Sequence, residues 1–406
     1  MNSTPKASAL SRRTSLAWKN LTHTLMRTVV SIGGIGFAIV LIFMQLGFLG
    51  SVGETATVVY ERMPCQILVR SPDYLHVYSP SSLPGELPNL LSSVPEVAKA
   101  TPLDIGVTEW RTPARGNRPA SFRAIAIMGV DLDEPAFNLP ELQGQVRAEL
   151  NRAGSVIIDQ DSSKDFGPLN NIAFGPQDVG MTTEVARTNA KVVGTFKMGT
   201  GLAANGALLC SRETFDKLTP MPHAGKVSLV LVSLKSPDEV EAGLRAIQRR
   251  LRSLGGQASN ATAITLTRAK SKEIQRWYWQ TPIGLIFWVG VGMALVVGSV
   301  ISYMILASDV AAHLSEYATL RAMGYSDGYL VKTLLSQSSL LALMAFPPSL
   351  LLAMVLYQIT SAHTSIPIHM NSFRVFFVLA MAMAMCNAAG VIALRKLLKA
   401  EPANLF

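Results

Sequence analysis

An α-helical membrane protein with four transmembrane helices and a large mixed α/β extracytoplasmic domain inserted between helices 1 and 2 is the fold class this sequence predicts. Three observations carry the prediction. The 406 residues are 49% hydrophobic and only 16% charged, too apolar and too charge-poor for an ordinary soluble protein of that length. Four long apolar runs interrupt the chain, each near the ~20 residues that a helix needs to cross a hydrocarbon core of about 30 Å. Between the first two runs lies a stretch of different character, where residues 51–280 hold 25 Lys/Arg and 23 Asp/Glu against 11 and 4 in the remainder. The formal charge of +9 is therefore concentrated beside the apolar runs, which points to membrane orientation before nucleic acid. No base-reading motif or aromatic–basic platform supports a nucleic-acid partner.

The leader, residues 1–27, carries Lys6, Arg12, Arg13, Lys19 and Arg27 and no acid. Lys19, His23 and Arg27 recur every four residues beside a stripe of Trp18, Leu21 and Leu25, the pattern of an amphipathic helix at a membrane surface. Residues 28–53 then run without a charge. The run exceeds the 7–15 residues of a typical signal-peptide core and no A-x-A site follows it, so it reads as an uncleaved first span.

Residues 54–280 read as a mixed α/β domain. β-rich runs stand at Gln66–Arg70, Phe122–Met128, Ser155–Ile158, Lys191–Phe196 and Val227–Leu234. Pro237–Leu254 reads as a helix, with Asp238 and Glu239 at its start and Arg249, Arg250 and Arg252 at its end, charges that suit the helix dipole. Arg268–Gln280 looks like a stalk helix whose Trp277, Tyr278 and Trp279 fall where an aromatic belt meets a bilayer.

The second span, 281–308, carries Gly290, Ala294 and Gly298, a small-residue ridge that lets another helix approach closely. Residues 309–328 follow as a connection between spans, yet they read as a helix: Ala311, Ala312, Leu314, Ala318, Leu320, Ala322 and Met323 are good helix formers, and Gly324 stands where a left-handed C-terminal residue belongs. The third span, 329–360, is interrupted by Pro347-Pro348, implying a kink or break with freed carbonyls buried against protein. A polar connection, 361–374, leads to the fourth span, 375–394, where Ala380, Ala384 and Ala388 make a second ridge. A basic tail, 395–406, ends the chain.

With four spans, both termini and residues 309–328 share one side. That side holds Lys6, Arg12, Arg13, Lys19, Arg27, Arg321, Lys332, Arg395, Lys396 and Lys399, whereas the short outer connection has only Arg374. The positive-inside rule makes the basic side cytoplasmic.

Sites of chemistry are mostly missing. The chain lacks a P-loop, a G-x-S-x-G elbow, an H-E-x-x-H and a C-x-x-C, so it cannot bind ATP through a P-loop of its own. His363 and His369 read as loop histidines rather than metal ligands. Asp159, Asp161 and Asp165 read as a solvated turn, lacking the Gly and final Glu of a calcium loop. Cys65 and Cys210 pair only if the fold brings them together. The spans contain almost no ionisable side chain, and Gln45, Gln337 and Asn387 are their main polar groups. A proton- or sodium-coupled carrier usually keeps such charges, so the energy for any movement would come from a partner.

The order of elements resembles the FtsX/MacB-like permeases of ABC transporters. SEYATLRAMGYSDGYL (Ser315–Leu330) is similar to that family's E-x-x-x-L-[RK]-A-[LM]-G-x-[ST] segment. SLAWKNL with Arg27, VPEVAKATPL (Val94–Leu103) and LRKLLKAEPANLF at the C-terminus fit the same family. FMQLGF, EPAFNLPE, YWQTPIG, SDVAAHLSEYATLRAMGY and the closing EPANLF look closer still to the DevC-like branch of glycolipid-export permeases.

The resemblance implies a non-catalytic permease subunit in a bacterial inner (plasma) membrane, with both termini cytoplasmic. It implies a homodimer that docks a separate cytoplasmic ABC ATPase, and it is that partner which binds ATP and Mg. Residues 309–328 become the coupling helix, with Glu316, Leu320, Arg321, Met323 and Gly324 at the ATPase contact. The outer domain is expected to meet a periplasmic adaptor (membrane fusion) protein and, through it, an outer-membrane channel. Cargo of the DevC-like branch is a glycolipid or another hydrophobic molecule. Two alternatives stay open: an FtsX-like mechanotransmitter that regulates a periplasmic cell-wall enzyme, and a membrane-anchored receptor.

Overall fold

The computed structural model describes residues 25–114, 119–199, 205–220, 225–312, 319, 323, 327–364 and 368–398. It divides into two compact units, Val52–Thr281 and Met1–Ser51 with Pro282–Phe406. The expected amphipathic leader before Leu25 and the tail beyond Leu398 lie outside the described residues.

The long helix α1 (Leu25–Glu61) comes first, followed by β1 (Ile67–Arg70), the short β2 (Leu83–Pro84) and α2 (Leu87–Ser92). Then come β3 (Val97–Thr112), β4 (Ser121–Val130), α3 (Gly144–Leu150), β5 (Ser155–Asp159), β6 (Thr182–Val185), β7 (Thr188–Phe196) and β8 (Ala207–Ser211). α4 (Arg212–Leu218), β9 (Lys226–Val227), β10 (Leu229–Leu234), α5 (Val240–Leu254), α6 (Gly256–Ser259), β11 (Thr262–Thr265) and α7 (Leu266–Trp279) complete the α/β unit. Three long helices end the chain: α8 (Pro282–Ala312), α9 (Asp327–Thr364) and α10 (Ser372–Leu398).

The α/β unit is organised on β3. Among the described residues its strands run in the order β11-β1-β10-β3-β4-β8-β5-β7-β6, mostly antiparallel, with β4–β8 and β5–β7 parallel. The first half of β3 pairs with β10 and the second half with β4. A further pairing at Trp110–Val185 joins β3 to β6, which brings the last six strands round on themselves. Trp110, Ile125, Val156, Phe166, Val192, Leu208 and Phe215 are buried together inside that curve. The Trp110 indole N–H donates to the Phe166 carbonyl at 2.9 Å, so the largest buried ring leaves no donor unsatisfied. The open half, β11-β1-β10 and the start of β3, buries its other face under α5 through Leu244, Ile247 and Leu251. That helix starts at Val240 rather than at Pro237. Glu239 precedes it without a side-chain cap, and the acid-rich start that the sequence offered is spent on the turn before the helix.

In the helical unit every helix runs beyond its charge-free stretch. The candidate spans are Thr28–Glu61, Pro282–Ala312, Val331–Ala362 and Ser372–Ala393. Intrahelical hydrogen bonds continue where the chain meets charge, so an end set by the first charge falls short: α1 passes Gly53 to Glu61, and α8 passes Ser308 to Ala312. α9 is not broken at Pro347-Pro348. Both prolines lie on the exposed face, contrary to the expectation of carbonyls freed against protein. On the buried side Ser349 supplies hydrogen bonds from its hydroxyl to the carbonyls of Ala345 (2.7 Å) and Gly36 (3.2 Å). Ala380, Ala384 and Ala388 of the expected second ridge are exposed, and α10 buries instead Val378, Ala382, Met385, Cys386 and Ala389.

Candidate functional site

The segment between α8 and α9 is where the sequence places the functional contact. Of its named residues, Glu316, Leu320, Arg321 and Gly324 lie outside the described residues. Met323 is 62% exposed, and its N–H donates to the Thr319 carbonyl at 3.0 Å. The two helices that flank the segment are fully described where they meet. Leu306 and Val310 of α8 and Leu334 of α9 are buried. The Gln337 side-chain amide on α9 donates to the Asp309 carboxylate on α8. The last turns of α8 and the first turns of α9 are thereby tied.

Below this tie α8 presents one inward seam: Gly284, Val291, Ala294, Gly298, Ser302, Leu306 and Val310, at the three- and four-residue steps that define a helix face. Gly298 is pressed from two sides. A Cβ there would stand 2.3 Å from the Met385 sulfur and 2.7 Å from the Ala38 Cβ. At Gly290 the three nearest atoms all belong to the Gln45 side-chain amide, the closest 2.5 Å from such a Cβ. Ala294 is 3% exposed between them. Ala38 and Gln45 belong to α1 and Met385 to α10. Several polar groups of the spans find partners. Asn387 Oδ1 accepts from the Ser338 and Ser339 hydroxyls at 2.7 and 3.1 Å, and Ser302 lies 3.6 Å from the Cys386 sulfur. Tyr357 donates to the Phe43 carbonyl.

Arg374 was counted as a charge of the outer connection. The structure buries it to 8% exposure; its guanidinium donates to the His369 carbonyl at 2.6 Å and stands 5.8 Å from the Tyr357 ring centre. Among the described residues no group of three or more His, Cys, Asp or Glu side chains could hold a metal ion.

The α/β unit holds one buried polar network that sequence reasoning missed. Glu273 on α7 is 2% exposed. One carboxylate oxygen accepts from the hydroxyls of Tyr60 (3.2 Å) and Tyr74 (3.1 Å). The other accepts from the Val77 N–H and the Trp277 indole, each at 3.3 Å, while the two tyrosine hydroxyls also bond each other. Burial raises the Glu273 carboxyl above its ordinary range, and the Val77, Tyr74, Trp277 and Tyr60 donors pull it partly back. The network joins α7, the end of α1 and the loop after β1. Its only sequence signal was a carboxylate in an otherwise basic stalk helix.

Asp159 also departs from expectation. It is not in a solvated turn: it ends β5, wholly buried, and one oxygen accepts from the N–H groups of Asp161 (3.1 Å) and Met198 (3.4 Å). Its other oxygen has no partner among the described residues, and burial pushes the carboxyl up to about 6 from an ordinary 3.8. Because the folded value is the higher one, Asp159 favours folding most below pH 3.8 and loses that contribution as pH rises through about 6. Asp159→Asn is therefore expected to gain about 3 kcal/mol on the wild type between acid and neutral pH. Thermal unfolding of both proteins across that range measures it, and a constant difference between them would refute the buried-carboxylate account. Cys65 and Cys210 are free and buried. Burial raises the Cys65 thiol to about 12 and the Cys210 thiol further, so neither is poised as a nucleophile.

Residues 288–402 match the family model described as FtsX-like permease C-terminal. The match takes in most of α8, the segment that follows it, α9 and α10. No curated protein matches the chain. Among solved structures, the extracellular domain of the noncanonic ABC-type transporter YknZ from Gram-positive bacteria aligns at 14% identity and TM-score 0.34, over 49% of this chain and 98% of that one. The periplasmic region of MacB from Actinobacillus actinomycetemcomitans aligns at 13% identity and TM-score 0.37, over 52% of this chain and 93% of that one.

Proposed function

We propose that this chain is the membrane-spanning subunit of an ABC-type export system, in which a separate cytoplasmic ATPase supplies the energy. The observation that carries the reading is the FtsX-like permease match over residues 288–402, which brackets the segment between α8 and α9. In this reading residues 309–328 dock on the ATPase through Glu316, Leu320, Arg321, Met323 and Gly324. The Asp309–Gln337 tie then passes the movement to α8 and α9 together. The ATPase binds ATP and Mg; this chain contributes no catalytic group. In this reading both termini lie on the cytoplasmic side of a bacterial plasma membrane, a placement that the basic residues flanking the helices support. The chain works as a homodimer, and its α/β unit meets a periplasmic adaptor that leads to an outer-membrane channel. Cargo is a glycolipid or a similarly hydrophobic molecule, as the resemblance to the DevC-like branch implies.

The test is ATP hydrolysis by the cognate ATPase, co-purified with this chain in lipid nanodiscs. Leu320→Asp places a charge on the docking helix. It is expected to cut permease-stimulated hydrolysis about tenfold or more while expression and membrane insertion stay normal, as loss of a central contact worth about 2 kcal/mol implies. Unchanged stimulation would remove the site assignment. Failure of any ATPase to co-purify with the wild type would remove the ABC reading itself.

A further inference from the structure

Beside the Glu273 network the α/β unit has a cavity of about 220 Å³, lined by Arg70, Tyr74, Lys272, Glu273, Arg276 and Gln280 among others. All its lining residues belong to the unit Val52–Thr281. Lys272, Arg276 and Gln280 follow one another at four-residue spacing along and just past α7, so they share one line of its surface. Arg70 closes β1, and its guanidinium lies 4.4 Å from the Tyr74 ring centre, a stacking that holds the cation at the cavity wall.

The charges around this cavity do not balance. Three cations line it with a single carboxylate, Glu273, and that carboxylate is already engaged by four donors. Among the described residues none of Arg70, Lys272 and Arg276 forms a salt bridge, whereas Arg111, Arg123, Arg147 and Arg212 of the same unit each hold a carboxylate within 2.7 Å. Two cations four residues apart on one helix repel. An anion between them would relieve that repulsion.

The position says where that anion comes from. Trp277 and the 64% exposed Trp279 follow directly on the cationic line, and the apolar helix Pro282–Ala312 begins after them. Tryptophan and tyrosine collect at the headgroup level of a bilayer, which is where lipid phosphates lie. A bare phosphate in solution has no reason to be met beside such a belt.

We propose that Arg70, Lys272 and Arg276 form a binding site for the headgroup of an anionic phospholipid at the outer surface of the membrane. A zwitterionic headgroup carries its own compensating cation and leaves the three charges unneutralised. The site rests on Pro282–Ala312 being a membrane span and is independent of any ATPase or cargo.

The test uses the purified full-length chain and native mass spectrometry, with phosphatidylglycerol, phosphatidylcholine and inorganic phosphate as separate probes. Wild type is expected to retain phosphatidylglycerol in preference to phosphatidylcholine. Arg276→Gln should weaken that retention about fivefold, and the triple variant Arg70→Gln, Lys272→Gln, Arg276→Gln about a hundredfold, from about 1 kcal/mol per cation near a membrane surface. Arg276→Lys, which keeps the charge, should stay within about threefold of wild type, and Arg252→Gln on α5 should change nothing. Equal retention by wild type and a monodisperse, folded triple variant would overturn the site. Inorganic phosphate binding as tightly as the lipid would overturn the lipid assignment. Failure of the wild type to enter phosphatidylcholine nanodiscs would overturn it through the membrane reading, a result separable from loss of lipid preference.

Discussion

Gly298→Leu is expected to destabilise the helical unit by about 3 kcal/mol or more, the upper range for forcing atoms into a packed interior. The reason lies in what surrounds the position. A Cβ at Gly298 would stand 2.3 Å from the Met385 sulfur and 2.7 Å from the Ala38 Cβ. The sulfur sits on a flexible side chain and can swing away. The Ala38 Cβ moves only with the backbone of α1, so α1 and α8 must separate. Gly290→Ala is the control, because its close neighbours are all at the end of the Gln45 side chain, which can turn aside. It is expected to cost less than about 1 kcal/mol. Melting of the full-length chain in detergent, followed by size-exclusion elution after heating, ranks the two. Equal melting would show that α8 does not meet α1 and α10 in this way.

The contrast between those glycines also shows what the sequence could convey. Gly290, Ala294 and Gly298 were legible as a small-residue face because their spacing is that of one helix side. Which partner each meets was not legible, since that depends on which side chains of other helices arrive there. The same spacing in Ala380, Ala384 and Ala388 marks a face that is exposed in this chain. Small residues permit close approach; they do not require it.

In the α/β unit the missed elements have a common cause. β3 is the longest strand, yet it contains Pro102 and Gly106, and in its second half the inward positions are Thr108, Trp110 and Thr112 while Val107 faces out. Glu109 and Arg111 outside and Trp110 inside keep the alternation there, and Val107 alone breaks it, because tertiary packing decides which face is core. Asp159, which the sequence offers as part of a solvated turn, is buried, and so is Asp104. Asp104 earns its place through Arg212 at 2.7 Å and the Ser228 N–H at 3.1 Å, contacts between residues more than a hundred positions apart that no local pattern encodes. Of the residues named for the segment between α8 and α9, the structure describes only Met323, so their assignment rests on motif alone and on the experiment with Leu320→Asp.

Glu273→Ala is expected to be the most damaging single change in the α/β unit. It removes one acceptor from four donors: the Tyr60 and Tyr74 hydroxyls, the Val77 N–H and the Trp277 indole. The tyrosine hydroxyls keep each other, but the buried Val77 N–H and the half-buried Trp277 indole lose their acceptor. At about 1–3 kcal/mol for each unsatisfied buried group, the loss is about 3–5 kcal/mol. Glu273→Gln keeps one acceptor oxygen and nearly the same volume, and is expected to cost about 1–2 kcal/mol. The two also separate by pH. Burial raises the folded carboxyl above its ordinary 4.5, so the glutamate's advantage over glutamine is greatest below pH 4.5 and shrinks as pH rises through the folded value. Chemical unfolding of the full-length chain, followed by tryptophan fluorescence with Trp277 as the reporter inside the network, reads both effects. If alanine and glutamine were equally tolerated, the network would not hold α7 to the end of α1. An advantage for glutamate that grew with pH would mean that its charged form is the stabilised one, with the donors outweighing the burial.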